Sequence, residues 1–198
     1  STRADVLRLV HAVVAYAPNC LTIPTNEKGK AVFKLDQLAP ANGFNHEQAH
    51  EAMADVKATI HIANLIREGA PKVWQNVMRS CRKSAAADTI ISTDILALTE
   101  FYFNIEYSWL VTYCGQNPEY KAQLAVFDLQ HDPADYMDLD EDALVNLLNA
   151  KHKVIRSVRT NAQPILMPFE MATDSAAAKA LDSSVLKDRV RTIRDATE

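Results

Sequence analysis

The sequence predicts an α+β fold, in which a mostly helical first part is followed by a smaller, β-rich second part. Three observations predict it. Through most of the first part, apolar residues recur every three or four positions, as amphipathic helices require. Beyond Ile95, β-branched and aromatic residues concentrate in segments typical of strands. The small and polar segment Ser84–Asp88 separates the two compositions, so we predict two domains, residues 1–84 and 85–198.

The first part contains four predicted helices, each with an apolar stripe or a recognisable end. Gly43 suits the left-handed end of the second helix, Gly69 closes the third, and proline favours the start of the fourth. The third helix has an apolar stripe of Ala52, Val56, Ile60 and Ala63. The predicted helices are Ala4–Tyr16, Leu35–Asn42, Glu51–Arg67 and one that opens at Pro71.

The second part alternates predicted strands with two helices. Asp138 followed three residues later by Glu141 resembles a capping box and predicts a helix start. The predicted strands lie within Ile95–Tyr113, Ala122–Leu129, Val154–Val158 and Pro164–Met167, and the predicted helices are Asp138–Ala150 and Ser175–Thr197.

Composition excludes some classes of protein. The chain has 198 residues, of which 48% are hydrophobic, enough to form substantial cores. The sequence contains no run of eighteen apolar residues, so we expect no membrane span. It also contains no leader in which an apolar stretch follows a charged one, so we expect no signal peptide. Cys20, Cys81 and Cys114 lack the spacing of a zinc site, so reduced thiols in the cytoplasm are expected.

Charge is unevenly distributed along the chain. The net charge of −4 does not indicate a nucleic-acid-binding protein. Ala122–Ala150 contains seven acids and no Lys or Arg, whereas Lys151–Arg159 contains four basic residues and no acid. The segment Leu186–Arg194 is also basic. These runs predict either a side that binds phosphates or simply solvated faces, and the sequence favours neither.

One motif has a spacing that could support catalysis. His50 is followed five residues later by Asp55, in the segment HEAMAD. Within one regular helix this offset turns the side chains apart by about 140°. They converge if His50 lies just outside the first turn and Asp55 lies within it. A histidine placed so can deprotonate water while the carboxylate binds a metal ion. The alternative is a surface helix that carries both residues, which the spacing alone favours.

The sequence segments around this spacing favour the catalytic interpretation over the surface helix. FKLDQL, followed by APANGFNHEQAHEAMADV, resembles the exonuclease I family of 3′–5′ single-strand DNA exonucleases, which belongs to the DEDDh nuclease superfamily. The likeness continues more weakly at Asp5–Arg8, Ser108–Trp109 and Val126–Leu129. It implies that residues 1–84 are the C-terminal part of an RNase H-like nuclease domain. Residues 85–198 would then form an SH3-like domain with a C-terminal helix.

The resemblance also implies a catalytic site. His50 matches the general-base histidine of the family and Asp55 matches its last metal-binding acid, in a mechanism that uses two Mg²⁺ ions. The first acidic motif, Asp-x-Glu, has no counterpart in this sequence. One carboxylate leaves Mg²⁺ largely hydrated, so the chain alone is expected to be catalytically incomplete. It is then part of a longer enzyme or, as the alternative, a shortened relative that binds without cutting.

The implied partners are single-stranded DNA and single-strand-binding protein. Four residues are candidates for nucleic-acid contacts: Lys34, Trp109, Arg156 and Arg159. A solvated lysine and a half-buried tryptophan are the alternatives for the first two. Self-association is also expected, because the stripes of the first and third helices would lack part of the sheet that covers them in the family.

Overall fold

One five-stranded antiparallel sheet, with helices before and after it, organises the structure. The structure is a computed structural model that describes residues 3–44, 52–173 and 176–197. This arrangement confirms the α+β class. The helices are α1 Val6–Tyr16, α2 Leu35–Ala41, α3 Ala52–Gly69, α4 Pro71–Ser80, α5 Lys83–Ser92, α6 Glu141–Asn149, α7 Ala176–Lys179 and α8 Ser183–Thr197. The strands are β1 Leu96–Tyr102, β2 Ile105–Gln116, β3 Gln123–Asp128, β4 Ile155–Arg159 and β5 Ile165–Pro168. None of the described helices is long and apolar enough to cross a membrane.

Local capping explains several of the helix ends. The Asp5 carboxylate accepts a hydrogen bond of 2.9 Å from the Leu7 amide at the start of α1. Gly43, two residues beyond α2, has a φ of +84°, a left-handed conformation that glycine adopts without strain. Pro71 occupies the first position of α4, where its missing amide hydrogen costs nothing. The predicted ends of these helices are therefore close to the observed ones.

Helix α5 was not predicted, because its small residues were interpreted as a domain boundary. Ala86 and Ile90 are almost completely buried, so the small side chains allow this helix to lie close to the sheet. The predicted division between residues 84 and 85 lies inside α5, and the division into domains stays a prediction.

The sheet has the strand order β4-β3-β2-β1-β5, so the last two strands in sequence lie at opposite edges. Only residues 160–164 connect them. Fully extended, the six steps from Arg159 to Ile165 span about 20 Å, close to the width of a flat five-stranded sheet at about 4.8 Å per strand spacing. The turn at Thr160 and Asn161 shortens that reach, so the sheet must curl to bring its edges together.

Both faces of the sheet are covered by apolar side chains. One face packs against α1, α4 and α8, and α3 packs in turn on α1 and α4. The strands contribute Ala97, Leu110, Phe127, Ile165 and Met167 to this core. The other face packs around Ile90 of α5, where the strands contribute Leu96, Leu98, Val111, Leu124, Val126, Val158 and Leu166. The alternation of these two sets along each strand is the two-residue period of a pleated sheet.

The buried face of α3 is not the predicted one. Ala58, Ile62 and Ile66 face the core, whereas Val56 and Ile60 are 52% and 53% exposed. Apolar residues lie on two sides of this helix, and periodicity alone does not tell which side is covered. The α1 stripe is buried within the chain, so the prediction of self-association now rests on the exposed side of α3 alone.

Two predicted helix boundaries near the C-terminus are also wrong. Helix α6 is capped by Asp140, whose carboxylate accepts a hydrogen bond of 2.9 Å from the Ala143 amide, and not by Asp138. The predicted final helix is two helices. Asp182 interrupts it by accepting hydrogen bonds of 3.0 Å from the amide and hydroxyl of Ser184. These bonds also lower the pKa of Asp182.

His11 is a buried, uncharged member of the core. Its ring stacks on Phe101 at a centroid distance of 4.1 Å and meets the edge of Phe33 at 4.9 Å. Burial, together with the positive charge of Arg8, lowers the pKa of His11 from 6.5 to about 4, and the carboxylate of Asp5 opposes this weakly. His11 is therefore neutral in the folded chain at neutral pH.

We expect His11 to make the chain sensitive to acid. The unfolded chain protonates His11 below about pH 6.5 and the folded chain does not, so stability falls as pH drops from 6.5 towards 4. From pH 7 to pH 5 the free energy of unfolding should fall by about 2 kcal/mol more in the parent than in His11→Phe, which keeps the ring contacts. Urea titrations at several pH values measure this. His152→Asn, at an exposed position, is the control, and parallel pH profiles for the parent and His11→Phe would contradict the expectation.

Candidate nucleic-acid interface

An aromatic surface formed by Tyr102, Tyr107 and Trp109 lies on one face of the β1–β2 hairpin. The register pairs Glu100 with Tyr107 and Leu98 with Trp109, which places these side chains on a common side. The rings of Tyr107 and Trp109 are nearly parallel, with centroids 6.1 Å apart, and Tyr102 meets Tyr107 at 5.6 Å. The two tyrosines are 50% and 43% exposed and Trp109 is half-buried. Such a row of accessible rings can stack on nucleobases.

The hydroxyl of Tyr102 is held by an acidic neighbour. It donates a hydrogen bond to the carboxylate of Glu100. Partial burial, then this hydrogen bond and the charge of Glu100, raise the pKa of Tyr102 to about 12. The phenol at the outer end of the aromatic surface therefore stays protonated at neutral pH.

Arg156 supports the tryptophan of this surface. Its guanidinium carbon lies 3.5 Å from the centroid of the Trp109 ring, a cation–π contact. Its Nε and Nη2 atoms donate to Asp128 Oδ2 at 3.3 and 3.1 Å. The side chains of Asp128 and Arg156 are 4% and 18% exposed, and Asp128 also accepts a bond from the Gln130 amide. Most of the charge of Arg156 is thus balanced within the protein, so its clearest role is to position Trp109.

The four predicted nucleic-acid contacts do not form one cluster. Trp109 and Arg156 meet, whereas Arg159 is exposed and, three residues along β4, projects from the opposite face of the sheet. Lys34 is exposed at the start of α2, beside a separate pocket that also contains His11. Their contacts with nucleic acid stay predictions.

Sequence reasoning missed Tyr102, Tyr107 and Asp128. The alternation of aromatic residues in FYFNIEYSW, residues 101–109, was a signal for an aromatic face. The pairing of Asp128 with Arg156 had no local signal, because the two residues lie on neighbouring strands that are 28 residues apart in the chain.

The C-terminal basic run has a structural role that the sequence did not reveal. Arg189 donates to the Leu129 carbonyl at 2.7 Å, and Arg194 donates to the Ile91 and Thr93 carbonyls at 2.8 and 3.1 Å. These bonds attach α8 to the residue that follows β3 and to the end of α5. Neither arginine is simply a solvated charge, and neither is freely available to phosphate.

The structure describes only one of the two predicted catalytic residues. His50 lies outside the described residues. Asp55 is exposed in the first turn of α3. Within ranges 3–44, 52–173 and 176–197, no group of three or more His, Cys, Asp or Glu side chains could hold a metal ion. The described residues therefore do not fit a complete Mg²⁺ site, and no reaction step can be derived through one.

Comparison with known proteins gives a consistent result. Exodeoxyribonuclease I of Haemophilus influenzae is 29% identical over 210 residues, covering 98% of this chain and 44% of the relative. Exodeoxyribonuclease I of Escherichia coli is 31% identical over 149 residues, covering 73% of this chain and 31% of the relative. The chain spans less than half the length of these curated relatives and matches the C-terminal part of the family. No protein-family model matches it.

Solved structures of exonuclease I are also similar to this chain. The crystal structure of Escherichia coli exonuclease I in complex with a dA16 oligonucleotide matches with a TM-score of 0.72 at 25% identity, covering 98% of this chain and 44% of that one. The crystal structure of SSB/exonuclease I in complex with the inhibitor CFAM also matches with a TM-score of 0.72 at 25% identity, covering 98% and 43%.

The pairing of Asp128 with Arg156 should stabilise the fold measurably. Asp128→Ala leaves the half-buried guanidinium without its acceptor, and we expect a loss of about 2 kcal/mol in the free energy of unfolding. The double variant Asp128→Ala/Arg156→Met should be no less stable than the single one, because it removes the unpaired charge as well. Denaturant titration measures both.

Asp94→Ala is the matched control for this pair. Asp94 is 80% exposed and lies 3.6 Å from Arg194, so its loss should cost well under about 1 kcal/mol. If the effects of the Asp128 and Arg156 substitutions simply add in the double variant, the two side chains do not stabilise each other.

Proposed function

Since this chain belongs to the exonuclease I family, we propose that it is part of an exodeoxyribonuclease that hydrolyses single-stranded DNA from the 3′ end to mononucleotides. The observation that carries the proposal is the match over 98% of the chain to exonuclease I in complex with a dA16 oligonucleotide. The activity, substrate and partners of the whole enzyme are proposals because the chain covers 44% of that protein.

Within this enzyme, the aromatic surface binds the strand. Bases stack on Tyr102, Tyr107 and Trp109, and every base offers a ring face, so the contact does not depend on sequence. Arg156 holds the Trp109 ring in place by the cation–π contact. Phosphates are bound by exposed cations, for which Lys34 and Arg159 are the candidates.

The proposed domain division follows the family. Residues 1–84 form the C-terminal part of an RNase H-like nuclease domain, and residues 85–198 form an SH3-like domain with a C-terminal helix. The five antiparallel strands and the short connection that brings the sheet edges together support a small, barrel-like second domain.

Catalysis requires groups beyond those described. His50 is the proposed general base and Asp55 the proposed ligand of Mg²⁺, both on the family resemblance. Asp55 supplies one carboxylate, whereas hexacoordinate Mg²⁺ needs several oxygen ligands from protein, substrate or water. The 198-residue chain alone is therefore proposed to be catalytically incomplete.

A second candidate is a non-catalytic module that binds single-stranded DNA or single-strand-binding protein. It is favoured by the aromatic surface, which is formed by residues of this chain alone. The structure of SSB/exonuclease I supports the second partner. The basic run Lys151–Arg159 is the candidate for binding an acidic segment of that partner, although Lys153 already donates to the Leu148 carbonyl at 2.7 Å.

Binding to single-stranded DNA should depend on stacking and on salt. Trp109→Ala should weaken binding of an oligothymidylate by roughly 5- to 150-fold, the equivalent of about 1–3 kcal/mol per stacked base. Arg159→Ala should weaken binding modestly and lower the slope of log affinity against log salt by about one. Fluorescence anisotropy at several salt concentrations measures both effects.

Controls for the binding experiment lie elsewhere on the surface. Trp74→Phe, on α4, and Arg191→Ala, an exposed residue paired with Asp188 on α8, should leave affinity and salt dependence unchanged. Equal affinities for the parent and Trp109→Ala would remove the aromatic surface from the proposal.

The catalytic roles are tested in an enzyme that also contains the remaining acidic motifs. His50→Ala should lower turnover by roughly 10²- to 10⁴-fold with little loss of DNA binding, because it removes a base and not a phosphate contact. Asp55→Ala should also lower turnover, and Mn²⁺ should restore part of it. Asp36→Ala, exposed on α2, is the control. Release of mononucleotides by the purified 198-residue chain, abolished by His50→Ala, would show that the proposed incompleteness is wrong.

A further inference from the structure

A half-buried carboxylate, that of Glu100, lies among the rings of the aromatic surface. On β1 it is directly opposite Tyr107, and Tyr102 follows two residues later on the same side of the strand. Strand β5 pairs with β1 only as far as Thr99, so no described strand flanks Glu100 on that side. A base stacked on either tyrosine would therefore lie beside this carboxylate.

The fold uses only one oxygen of the Glu100 carboxylate. Oε2 accepts the hydrogen bond from the Tyr102 hydroxyl, and Oε1 has no partner among the described residues. No described cation forms an ion pair with Glu100. An ionised carboxylate has several lone pairs and can only accept hydrogen bonds. An unused acceptor is therefore available next to the stacking rings.

A pocket of about 800 Å³ opens beside Glu100. Tyr102 also lines it, as does Arg156, which stacks on Trp109. Glu100 is the one carboxylate among the lining residues, all of which belong to the described part of the chain. The polar edge of a base has room to enter this pocket while its ring face stays on the aromatic surface.

The negative charge of Glu100 is unfavourable for binding a polyanion. It repels the phosphates of a strand that the neighbouring rings bind. Arg156 offsets this repulsion little, because its own charge is balanced by Asp128. A neutral side chain at position 100 would serve stacking better. What the carboxylate adds is a hydrogen-bond acceptor, which stacking rings do not supply.

We propose that Glu100 discriminates between bases on the aromatic surface by accepting a hydrogen bond from the exocyclic amino group of cytosine or adenine. Stacking holds every base alike, since every base has a ring face. A carboxylate favours the amino group of these bases and disfavours the carbonyl oxygen that thymine or uracil presents instead. This inference rests on the proposed function, because it requires a strand on the aromatic surface, and it adds a preference for certain bases to that function.

Two matched ligands test the proposal. Oligodeoxycytidylate and oligodeoxyuridylate of equal length carry the same phosphates and rings of the same size, but present an amino group or a carbonyl oxygen at C4. In fluorescence anisotropy the 198-residue chain should bind the cytidylate roughly 3- to 10-fold more tightly, the worth of one hydrogen bond. Glu100→Gln should bring this ratio to about one, because an amide offers both a donor and an acceptor and serves either base. Both affinities should also rise, since a negative charge is removed.

Two further variants separate base recognition from structural support. Tyr102→Phe removes the hydroxyl that Glu100 binds but keeps the ring and the carboxylate, so the ratio of affinities should be retained. Glu68→Gln removes an equal charge from α3, where the Glu68 side chain is 72% exposed, and should also retain the ratio.

The outcomes distinguish this inference from the proposed function. Equal affinities of the parent for the two ligands overturn the inference. So does a ratio that Glu100→Gln leaves unchanged, because Glu100 then only repels phosphates, or one that Tyr102→Phe abolishes equally, because Glu100 then acts only through Tyr102. In each of these cases weaker binding of both ligands by Trp109→Ala still upholds the proposed function. Absence of binding to both ligands in the parent overturns the proposed function, and this inference with it.

Discussion

The antiparallel pairing of β1 with β2 sets which side chains reach the aromatic surface and which reach the helical core. It brings Tyr107 and Trp109 onto one face and directs Phe101 towards His11 on the other. A polar chain ties the same hairpin to α1. The hydroxyls of Tyr16 and Thr99 are hydrogen-bonded at 2.6 Å, and those of Thr99 and Ser108 at 2.8 Å. A shift of the register by one residue would move every side chain of one strand to the other face and destroy the aromatic surface.

The aromatic surface on this hairpin is open, and its rings pack against one another and against Arg156. This arrangement suits successive bases of a strand, since stacking tolerates any sequence.

Local charge matters more here than the net charge of −4. Several arginines are committed to the fold: Arg156 to Asp128, and Arg189 and Arg194 to backbone carbonyls. Of the predicted phosphate contacts, Lys34 and Arg159 remain exposed, and Arg159 lies on the face of the sheet opposite the aromatic surface. Affinity for a strand should therefore depend strongly on stacking, with a moderate dependence on salt.

Local periodicity, capping residues and contiguous segments such as FKLDQL were enough to predict the helices of the first part, the strands of the second and the family. The sequence also pointed to Trp109 and Arg156 as residues of interest. Contacts between distant parts of the chain were needed to show that Arg156 pairs with Asp128 next to Trp109, that Arg159 faces the other way, and that Ile62 rather than Ile60 is buried on α3. The tertiary structure alone placed His11 beside Phe33, Phe101 and the hairpin tip. The reason is physical: these outcomes depend on strand order and on which side of a helix finds a partner, and contacts between distant residues leave no periodic signal in the chain.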